Sequence, residues 1–175
     1  MALHDDMRKL WEDHIVYTRN FIVDAAAGLP EQQATTERLL RNQDDIGNAV
    51  GAYYGQEAGA KLTALLREHI TTAGQLVTAA KANDTAKTED AKTRWFANAD
   101  QIATLLSGAN PKAWPEADIK NMMHDHLTLT SDEAVAQLHS DWTASIGDYD
   151  KVHAQILSMA DMLSAGIVNQ FPDKF

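Results

Sequence analysis

The stretch LTALLREHITTAGQLVTAA, residues 62–80, decides the fold class of this chain. Its apolar side chains recur every three or four residues, and they comprise Leu62, Leu65, Leu66, Ile70, Ala73, Leu76, Val77 and Ala80. This spacing puts them on one face of an α-helix, as a stripe that is stable only when other parts of the chain cover it. The stretch therefore predicts an amphipathic helix that packs against further helices.

The surrounding sequence has the same helical character. The long segment from Glu31 to Asn110 contains no proline and is rich in Ala, Leu, Gln, Glu and Lys, which favour the helical conformation. No segment shows the period-two alternation of apolar and polar residues that is typical of a β-strand. We therefore predict an all-α protein in which residues 1–175 form a single domain, an antiparallel up-and-down helical bundle of six or seven helices.

Turn-forming residues divide the chain into helical segments. Gly28-Leu29-Pro30, Gly55 and Asn83-Asp84 each predict a turn, because glycine, proline and asparagine end helices or start the next one. Residues 110–115, which contain two prolines, predict the longest irregular link.

The last part of the sequence carries a signal for the start of a helix. Thr130-Ser131-Asp132-Glu133 has the form of a capping box, and it predicts a helical segment that begins there and reaches about Phe171. At about 1.5 Å per residue such a helix would be near 60 Å long, which exceeds the expected size of the domain. We therefore expect a break around Gly147-Asp148.

Charge and composition exclude several classes of function. The chain has 15 basic and 25 acidic side chains, so its net charge is −10, which repels a phosphate backbone and an anionic membrane surface. We therefore expect neither nucleic-acid binding nor membrane binding. The absence of cysteine excludes disulfides and thiolate metal ligands. The segment Met1–Asp6 lacks the features of an export signal, so a cytoplasmic location is the default, and an export signal removed beforehand stays open.

A short pattern recurs three times along the chain. The three copies are Leu10-Trp11-Glu12-Asp13-His14-Ile15, Leu65-Leu66-Arg67-Glu68-His69-Ile70 and Met122-Met123-His124-Asp125-His126-Leu127. They share the order apolar, apolar, any residue, acid, histidine, apolar, and they follow one another at a nearly constant interval. A partner segment follows as 42–46 and 98–102, whereas its third copy near 145–148 matches poorly. The pattern predicts three helical hairpins, although short patterns also recur by chance in bundle helices.

The histidines of the three copies lie on or at the edge of the apolar stripe, so His14, His69 and His126 are expected in the core. In one interpretation their imidazoles meet and bind a divalent metal such as zinc, with an open position for water. In the other, each imidazole forms a hydrogen bond across the bundle and fixes the packing register. The second interpretation is favoured, because core histidines greatly outnumber metal ligands.

Further polar residues are expected at the level of these histidines. Asn42 and Asn98 are flanked by positions that should face inward, and a buried amide needs hydrogen-bond partners. The proposed metal ligands are His14, His69, His126 and His153, and the proposed ligand-binding side chains are Asn42, Asp45, Asn98, Arg19 and Arg41. One polar cross-section of the bundle is predicted, because the middles of antiparallel helices lie side by side. It comprises His14, Asn42, Asp45, His69, Asn98 and His153. Arg19 and Arg41 could pair with Asp45, Asp100 or an anionic ligand.

Motifs for catalysis are missing from the sequence. It contains no glycine-rich phosphate loop, no Gly-x-Ser-x-Gly and no His-Glu-x-x-His, and the nearest match to a di-iron motif, 150–153, has no second copy. We therefore favour a non-enzymatic protein that binds a small ligand, a metal ion or a protein partner through the polar cross-section. One alternative is a metal-dependent hydrolase that uses the same residues, and another is a structural bundle without a ligand. The oligomeric state stays open.

The whole chain resembles a family of small, all-helical bacterial proteins of unassigned function. The resemblance depends on segments such as Leu10-Trp11-Glu12-Asp13-His14, Tyr53-Tyr54-Gly55, Trp95-Phe96-Ala97-Asn98-Ala99-Asp100 and His126-Leu127-Thr128-Leu129-Thr130. It implies an all-helical fold and no mechanism. Some members of that family carry the enzyme names glycosyltransferase or acetylglutamate kinase. Both activities call for nucleotide-binding α/β folds, and this sequence shows neither strands nor a phosphate loop, so these names are not carried over.

Overall fold

The computed structural model describes residues 2–175 and consists of six long α-helices. The helices are α1 (Ala2–Ala27), α2 (Gln32–Tyr54), α3 (Gln56–Lys81), α4 (Thr85–Ala109), α5 (Glu116–Leu138) and α6 (Trp142–Gln170), followed by a 3₁₀ turn at Pro172–Lys174. The described residues contain no strand, so the predicted all-α helical bundle is confirmed, with six helices. Within the same residues, no helix combines the length and the apolar character needed to cross a membrane.

The helices close into a ring. Each helix packs against the helix before it and the helix after it, and α1 also packs against α6. Short links reverse the chain direction between successive helices, so α1, α3 and α5 run parallel to one another. In addition, α1 contacts α3 and α5 directly, which brings the odd-numbered helices together at the centre of the ring.

The ring consists of three hairpins, α1–α2, α3–α4 and α5–α6, with equivalent core positions. Core residues at equivalent places in successive hairpins are separated along the sequence by about the same number of residues as the copies of the histidine pattern. Buried sets of this kind are Met7/Leu62/Ile119, Trp11/Leu66/Met123, Ile15/Ile70/Leu127, Ile22/Val77/Ala134, Ile46/Ile102/Met159 and Val50/Leu106/Leu163. The recurring sequence pattern therefore corresponds to a structural repetition that includes much of the core.

The predicted turns at 28–30, at Gly55 and at 83–84 are confirmed, and so is the irregular link at 110–115. The helix start predicted from the capping box at 130–133 is wrong, because these residues lie inside α5. The break predicted at 147–148 is also wrong, because these residues lie inside α6.

The packing explains both errors. Thr130 and Glu133 are buried on the core side of α5, so tertiary contacts hold this segment in the middle of a helix. The true boundary lies at Ser140, whose φ is 61°, and at Asp141. The Asp141 side chain accepts a hydrogen bond from the Ala144 backbone N–H at 3.0 Å and so caps α6.

Candidate functional site

Three histidines lie in the core of the bundle, one on each of the parallel helices α1, α3 and α5. His14, His69 and His126 are 3%, 3% and 4% exposed. The ring centroids of His14 and His126 are 5.8 Å apart. His69 is near enough to both that it lowers the pKa of His14 and that its own pKa is lowered by His126. The structure therefore brings together the three histidines that the sequence pattern selected, and we call them the imidazole cluster.

In the second hairpin, an amide from α4 holds the imidazole. Nδ2 of Asn98 donates to the carbonyl of Leu65, one turn before His69, at 3.1 Å. The amide oxygen of Asn98 therefore faces His69, and Nδ1 of His69 donates to it at 2.9 Å. This bond places the proton of the neutral ring on Nδ1 and leaves a lone pair on Nε2.

The third hairpin repeats this arrangement with a glutamine. Nε2 of Gln155 donates to the carbonyl of Met122 at 2.9 Å, and its Oε1 accepts from Nδ1 of His126 at 3.1 Å. Gln155 lies one turn before the core residue Met159, just as Asn98 lies one turn before the equivalent Ile102. Gln155 is therefore the third copy of the partner, rather than the segment at 145–148. The Nε2 atom of His126 also keeps its lone pair.

The first hairpin differs because a second amide is inserted. Nδ2 of Asn42 donates to the Leu10 carbonyl at 2.9 Å, as in the other copies, but Oδ1 of Asn42 accepts from Nε2 of Gln43 at 3.1 Å. The same Gln43 nitrogen donates to the Leu39 carbonyl at 2.8 Å and lies 3.3 Å from Nδ1 of His14. The two hydrogens of this amide nitrogen have nearer acceptors in the Leu39 carbonyl and Asn42 Oδ1, so the contact with His14 differs from the bonds that Asn98 and Gln155 form.

Burial keeps all three rings neutral. It lowers the pKa of His69 from its ordinary 6.5 to about 3, with a further contribution from His126. It lowers the pKa of His126 to about 4. The pKa of His14 lies well below 6.5 because of burial and because of repulsion from His126 and His69. At neutral pH the cluster therefore consists of uncharged imidazoles.

Several polar atoms around the imidazole cluster lack partners. Within residues 2–175, the buried side-chain atoms without a hydrogen bond are Trp11 Nε1, Arg38 Nη1, Gln43 Oε1, Trp95 Nε1 and Thr130 Oγ1. Trp11 packs against His14 and Trp95 against His69, with ring centroids 5.7 and 5.2 Å apart. Within the same residues, the hydrogen bonds of the three imidazoles involve Nδ1 and not Nε2.

Three other residues of the predicted site lie away from the imidazole cluster. Asp45 and Arg41 are exposed on α2. His153 is partly exposed on α6, where its Nε2 lies 2.9 Å from the Glu12 carboxylate. The structure therefore does not bring these three residues to the imidazole cluster.

Arg19 belongs to a different polar contact, which the sequence did not predict. Its Nη1 donates to Glu133 at 2.6 Å, and its guanidinium lies over the Tyr149 ring at 4.9 Å. The Glu133 side chain is only 2% exposed. Burial raises the pKa of its carboxyl to about 6, although the Arg19 partner opposes that rise.

The imidazole cluster does not have the geometry of a metal centre. Among residues 2–175, no three His, Asp or Glu side chains are arranged so that they could hold a metal ion. A hydrolytic metal site also needs a coordination position that water and substrate can reach, whereas all three imidazoles are buried. The geometry therefore gives the predicted zinc site and the hydrolase alternative no support.

A large groove lies over α3, between α2 and α4. Its volume is about 730 Å³. Apolar side chains from four helices line it, among them Phe21, Leu40, Ile70 and Ala91. Polar side chains contribute as well, including Gln75, Lys87, Asp90 and Arg94. We call this surface the α3 groove.

The charges in the α3 groove are paired. Lys87 lies 2.8 Å from Asp84, and the Nε atom of Arg94 donates to Asp90 at 2.9 Å. Arg94 also donates to the amide oxygen of Gln75 at 3.0 Å. The groove therefore offers hydrogen-bonding groups without a net charge.

Comparison of the chain with family models, with curated proteins and with solved structures finds no match. The resemblance to a helical bacterial family thus remains a prediction from the sequence, and a function must be inferred from the geometry alone.

Proposed function

We propose that this protein is a non-enzymatic small-molecule-binding protein, and that the α3 groove is its binding site. The observation that carries this proposal is the size and composition of the groove. Small-molecule sites in proteins are concave, have volumes of about 300–1,000 Å³ and are lined mainly by apolar side chains with a few polar groups. The α3 groove, at about 730 Å³, fits this description.

The repetition of the hairpins supports a dedicated site. Gly74 lies in the α3 groove, and its equivalent in the first hairpin is Arg19, in the same way that His14 is the equivalent of His69. The Arg19 side chain crosses from α1 to α5 and α6, where it contacts Glu133, Ser145 and Tyr149. The second hairpin has no side chain at this position, so the corresponding surface of α3 stays open.

The chemistry of the groove defines the class of ligand. Phe21, Ile70 and Ala91 would cover a flat apolar body, whereas Gln75 and the paired Arg94 would bond with a carbonyl or hydroxyl group. Because the charges in the groove are paired, no strong preference for an ion is expected. The proposed ligand is therefore an uncharged molecule with an apolar body and one or two hydrogen-bonding groups.

Nile red, an uncharged dye whose emission depends on polarity, is a suitable probe for this site. Titration of the protein with the dye should give saturable binding of one molecule per chain, with emission shifted to the blue. Replacing Gly74 with Arg should place a side chain across the groove, as Arg19 does in the first hairpin, and should weaken binding at least tenfold. The Cβ atom itself fits, because its nearest neighbour would be the Phe21 ring at 3.4 Å.

Gly108→Arg is the matched control. Gly108 lies in α4, is exposed, and has nothing within 4 Å of an added Cβ. Both variants replace a helical glycine by a better helix former and add the same charge, so both should be folded. Unsaturable dye binding by the unmodified chain, or equal affinities of the two variants, would refute the proposed site.

The imidazole cluster has a different role in this proposal. In the second and third hairpins, one amide from the next helix bonds both to the imidazole and to the backbone one turn before the histidine. In the first hairpin, Asn42 forms the backbone bond and Gln43 lies between Asn42 and His14. A shift of either helix by one turn would break these bonds between buried groups, which is costly. The cluster would thus specify how the helices of each hairpin pair, while the α3 groove binds the ligand.

A further inference from the structure

The side chain of Phe21 borders two separate concave spaces. It lines the α3 groove, where its Cζ atom would lie 3.4 Å from a Cβ atom added at Gly74. It also lines a small, partly open cavity of about 30 Å³, which we call the small cavity. Within residues 2–175, no other residue lines both spaces. The small cavity lies between α1, α3, α4 and α5, and the apolar residues that line it with Phe21 include Ile22, Leu76, Val77, Trp95 and Ala134.

The two spaces lie on different sides of α3. Gly74 and Thr78 line the groove, whereas their neighbours Ala73 and Val77 line the small cavity. One residue corresponds to a rotation of about 100° around a helix, so these neighbours point in different directions. Because Gly74 has no side chain, the Phe21 ring lies against the backbone of α3 at this point.

Apolar side chains connect the groove with the small cavity. Seven buried residues form a hydrophobic cluster that is separate from the main core, and they are Phe21, Ile22, Ala25, Leu39, Ile70, Val77 and Ala134. Of these residues, Ile70 lines the groove, and Val77 and Ala134 line the small cavity. The Phe21 ring, which belongs to the same cluster and touches both spaces, therefore separates them.

We propose that Phe21 determines the length of the apolar chain that the α3 groove accepts. This inference rests on the proposed function of the groove and adds a class of ligand, an uncharged molecule with a short unbranched hydrocarbon tail. The hydroxyl or carbonyl group of the ligand would lie near Gln75 and Arg94, and the tail would end against the Phe21 ring. The surface of the small cavity is formed by apolar atoms alone, so the space behind the ring suits additional hydrocarbon and not a polar group.

A homologous series of alcohols makes this limit measurable. Each methylene group that is buried in an apolar site strengthens binding about fourfold. The affinity of unbranched alcohols should therefore rise by about this factor per methylene while the tail extends along the groove. It should stop rising once the tail reaches Phe21. Without the ring, the groove and the small cavity become continuous, so the rise should extend to longer alcohols.

Displacement of Nile red by the alcohols from 1-butanol to 1-dodecanol measures this dependence on the full chain. The affinity of the unmodified chain should reach a plateau within the series. Phe21→Ala should move the plateau to longer alcohols and should bind 1-dodecanol at least about tenfold more tightly than the unmodified chain does. Phe21→Leu perturbs the fold less and should move the plateau in the same direction.

Phe96→Ala is the matched control. Phe96 is a partly buried phenylalanine of α4 that lines neither space and packs against Trp95 and His124. Its replacement should leave the plateau at the same alcohol as in the unmodified chain.

Ala134→Val tests the contribution of the small cavity, which the added methyl groups would partly fill. Alone, it should leave the profile unchanged, because the Phe21 ring already stops the tail. Combined with Phe21→Ala, it should weaken the binding of the longest alcohols relative to Phe21→Ala alone.

The possible results separate this inference from the proposed function. Saturable dye binding with the same plateau in the unmodified chain, in Phe21→Ala and in Phe21→Leu would overturn the role of Phe21 and leave the proposed function intact. A rise without a plateau in the unmodified chain, or an equal change in Phe96→Ala, would also overturn it. The absence of saturable dye binding would overturn the proposed function and this inference together.

Discussion

Acidification from pH 7 to pH 4 should strongly destabilise the bundle through the imidazole cluster. In the unfolded chain each histidine binds a proton near pH 6.5. In the folded chain, burial lowers the pKa of His126 to about 4 and that of His69 to about 3. The unfolded state therefore binds more protons than the folded state below pH 6.5. The stability contributed by the neutral rings is fully present above that pH and is lost as the pH falls toward the folded values.

The size of the loss follows from these pKa values. A tenfold difference in proton affinity corresponds to about 1.4 kcal/mol. At pH 4, His126 and His69 each lower the free energy of unfolding by about 3 kcal/mol compared with its value at neutral pH, because the unfolded chain binds their protons more readily. His14 acts in the same direction. The free energy of unfolding of a domain is about 5–15 kcal/mol in total, so this loss is a large part of it.

Glu133 acts in the opposite direction in part of the same range. Its folded pKa is raised to about 6 from the ordinary 4.5, so protonation of this carboxyl stabilises the folded chain as the pH falls. This gain amounts to about 2 kcal/mol by pH 4.5. The net loss between pH 7 and pH 4 should therefore be about 4 kcal/mol or more.

Urea denaturation followed by far-UV circular dichroism, at several values between pH 7 and pH 4, measures this dependence. His126→Gln should remove roughly half of the loss, because glutamine does not ionise. His153→Gln serves as the control, since that imidazole is partly exposed and bonds to Glu12 at the surface. A free energy of unfolding that is constant over this range, or an equal flattening of the profile by both variants, would contradict this expectation.

Three further substitutions have defined expectations, each measurable by thermal or urea unfolding. Ala134→Val should stabilise the chain by up to about 1 kcal/mol, because Ala134 lines a small, partly open apolar cavity of about 30 Å³ that the added methyl groups would partly fill. A lower melting temperature would contradict this expectation. Gly59→Ala should destabilise the chain by about 1–3 kcal/mol, because its Cβ would lie 2.6 Å from the carbonyl oxygen of Gly47. Asn98→Leu should cost about 2–4 kcal/mol, because His69 and a backbone carbonyl each lose a partner.

The sequence allowed the three core histidines to be predicted because they share a helical face with many apolar residues. His14 follows Leu10 and precedes Ile15, and both the periodicity and the burial of such a position follow from helical geometry. Asn42 and Asn98 were predicted on the same argument, and both are buried. Their hydrogen bonds to the backbone depend on the distance between two helices, which periodicity does not contain.

Asp45 and His153 show where this reasoning fails. Both lie near the middle of a helix, which determines their height in the bundle but not the side on which they lie. Asp45 directly precedes Ile46, and His153 directly follows Val152, and each of these neighbours is buried. One residue corresponds to a rotation of about 100° around the helix, so the adjacent polar side chains turn toward the surface.

Other features required the three-dimensional structure. Gln43 adjoins Asn42, and its contact with His14 depends on an amide orientation that the Leu39 carbonyl sets. Glu133 pairs with Arg19 from a distant part of the sequence. The α3 groove arises because Gly74 carries no side chain between two neighbouring helices, and a lone helical glycine has no specific signal in a sequence.

Because two tryptophans contact the imidazole cluster, tryptophan fluorescence can report the protonation of the buried histidines. Trp11 lies against His14 and Trp95 lies against His69. A protonated imidazole takes an electron from an excited indole and quenches its emission, whereas a neutral imidazole does so far less. The intensity and the lifetime of the tryptophan fluorescence should therefore decrease when the buried imidazoles are protonated. Their protonation could thus be followed without any label attached to the protein.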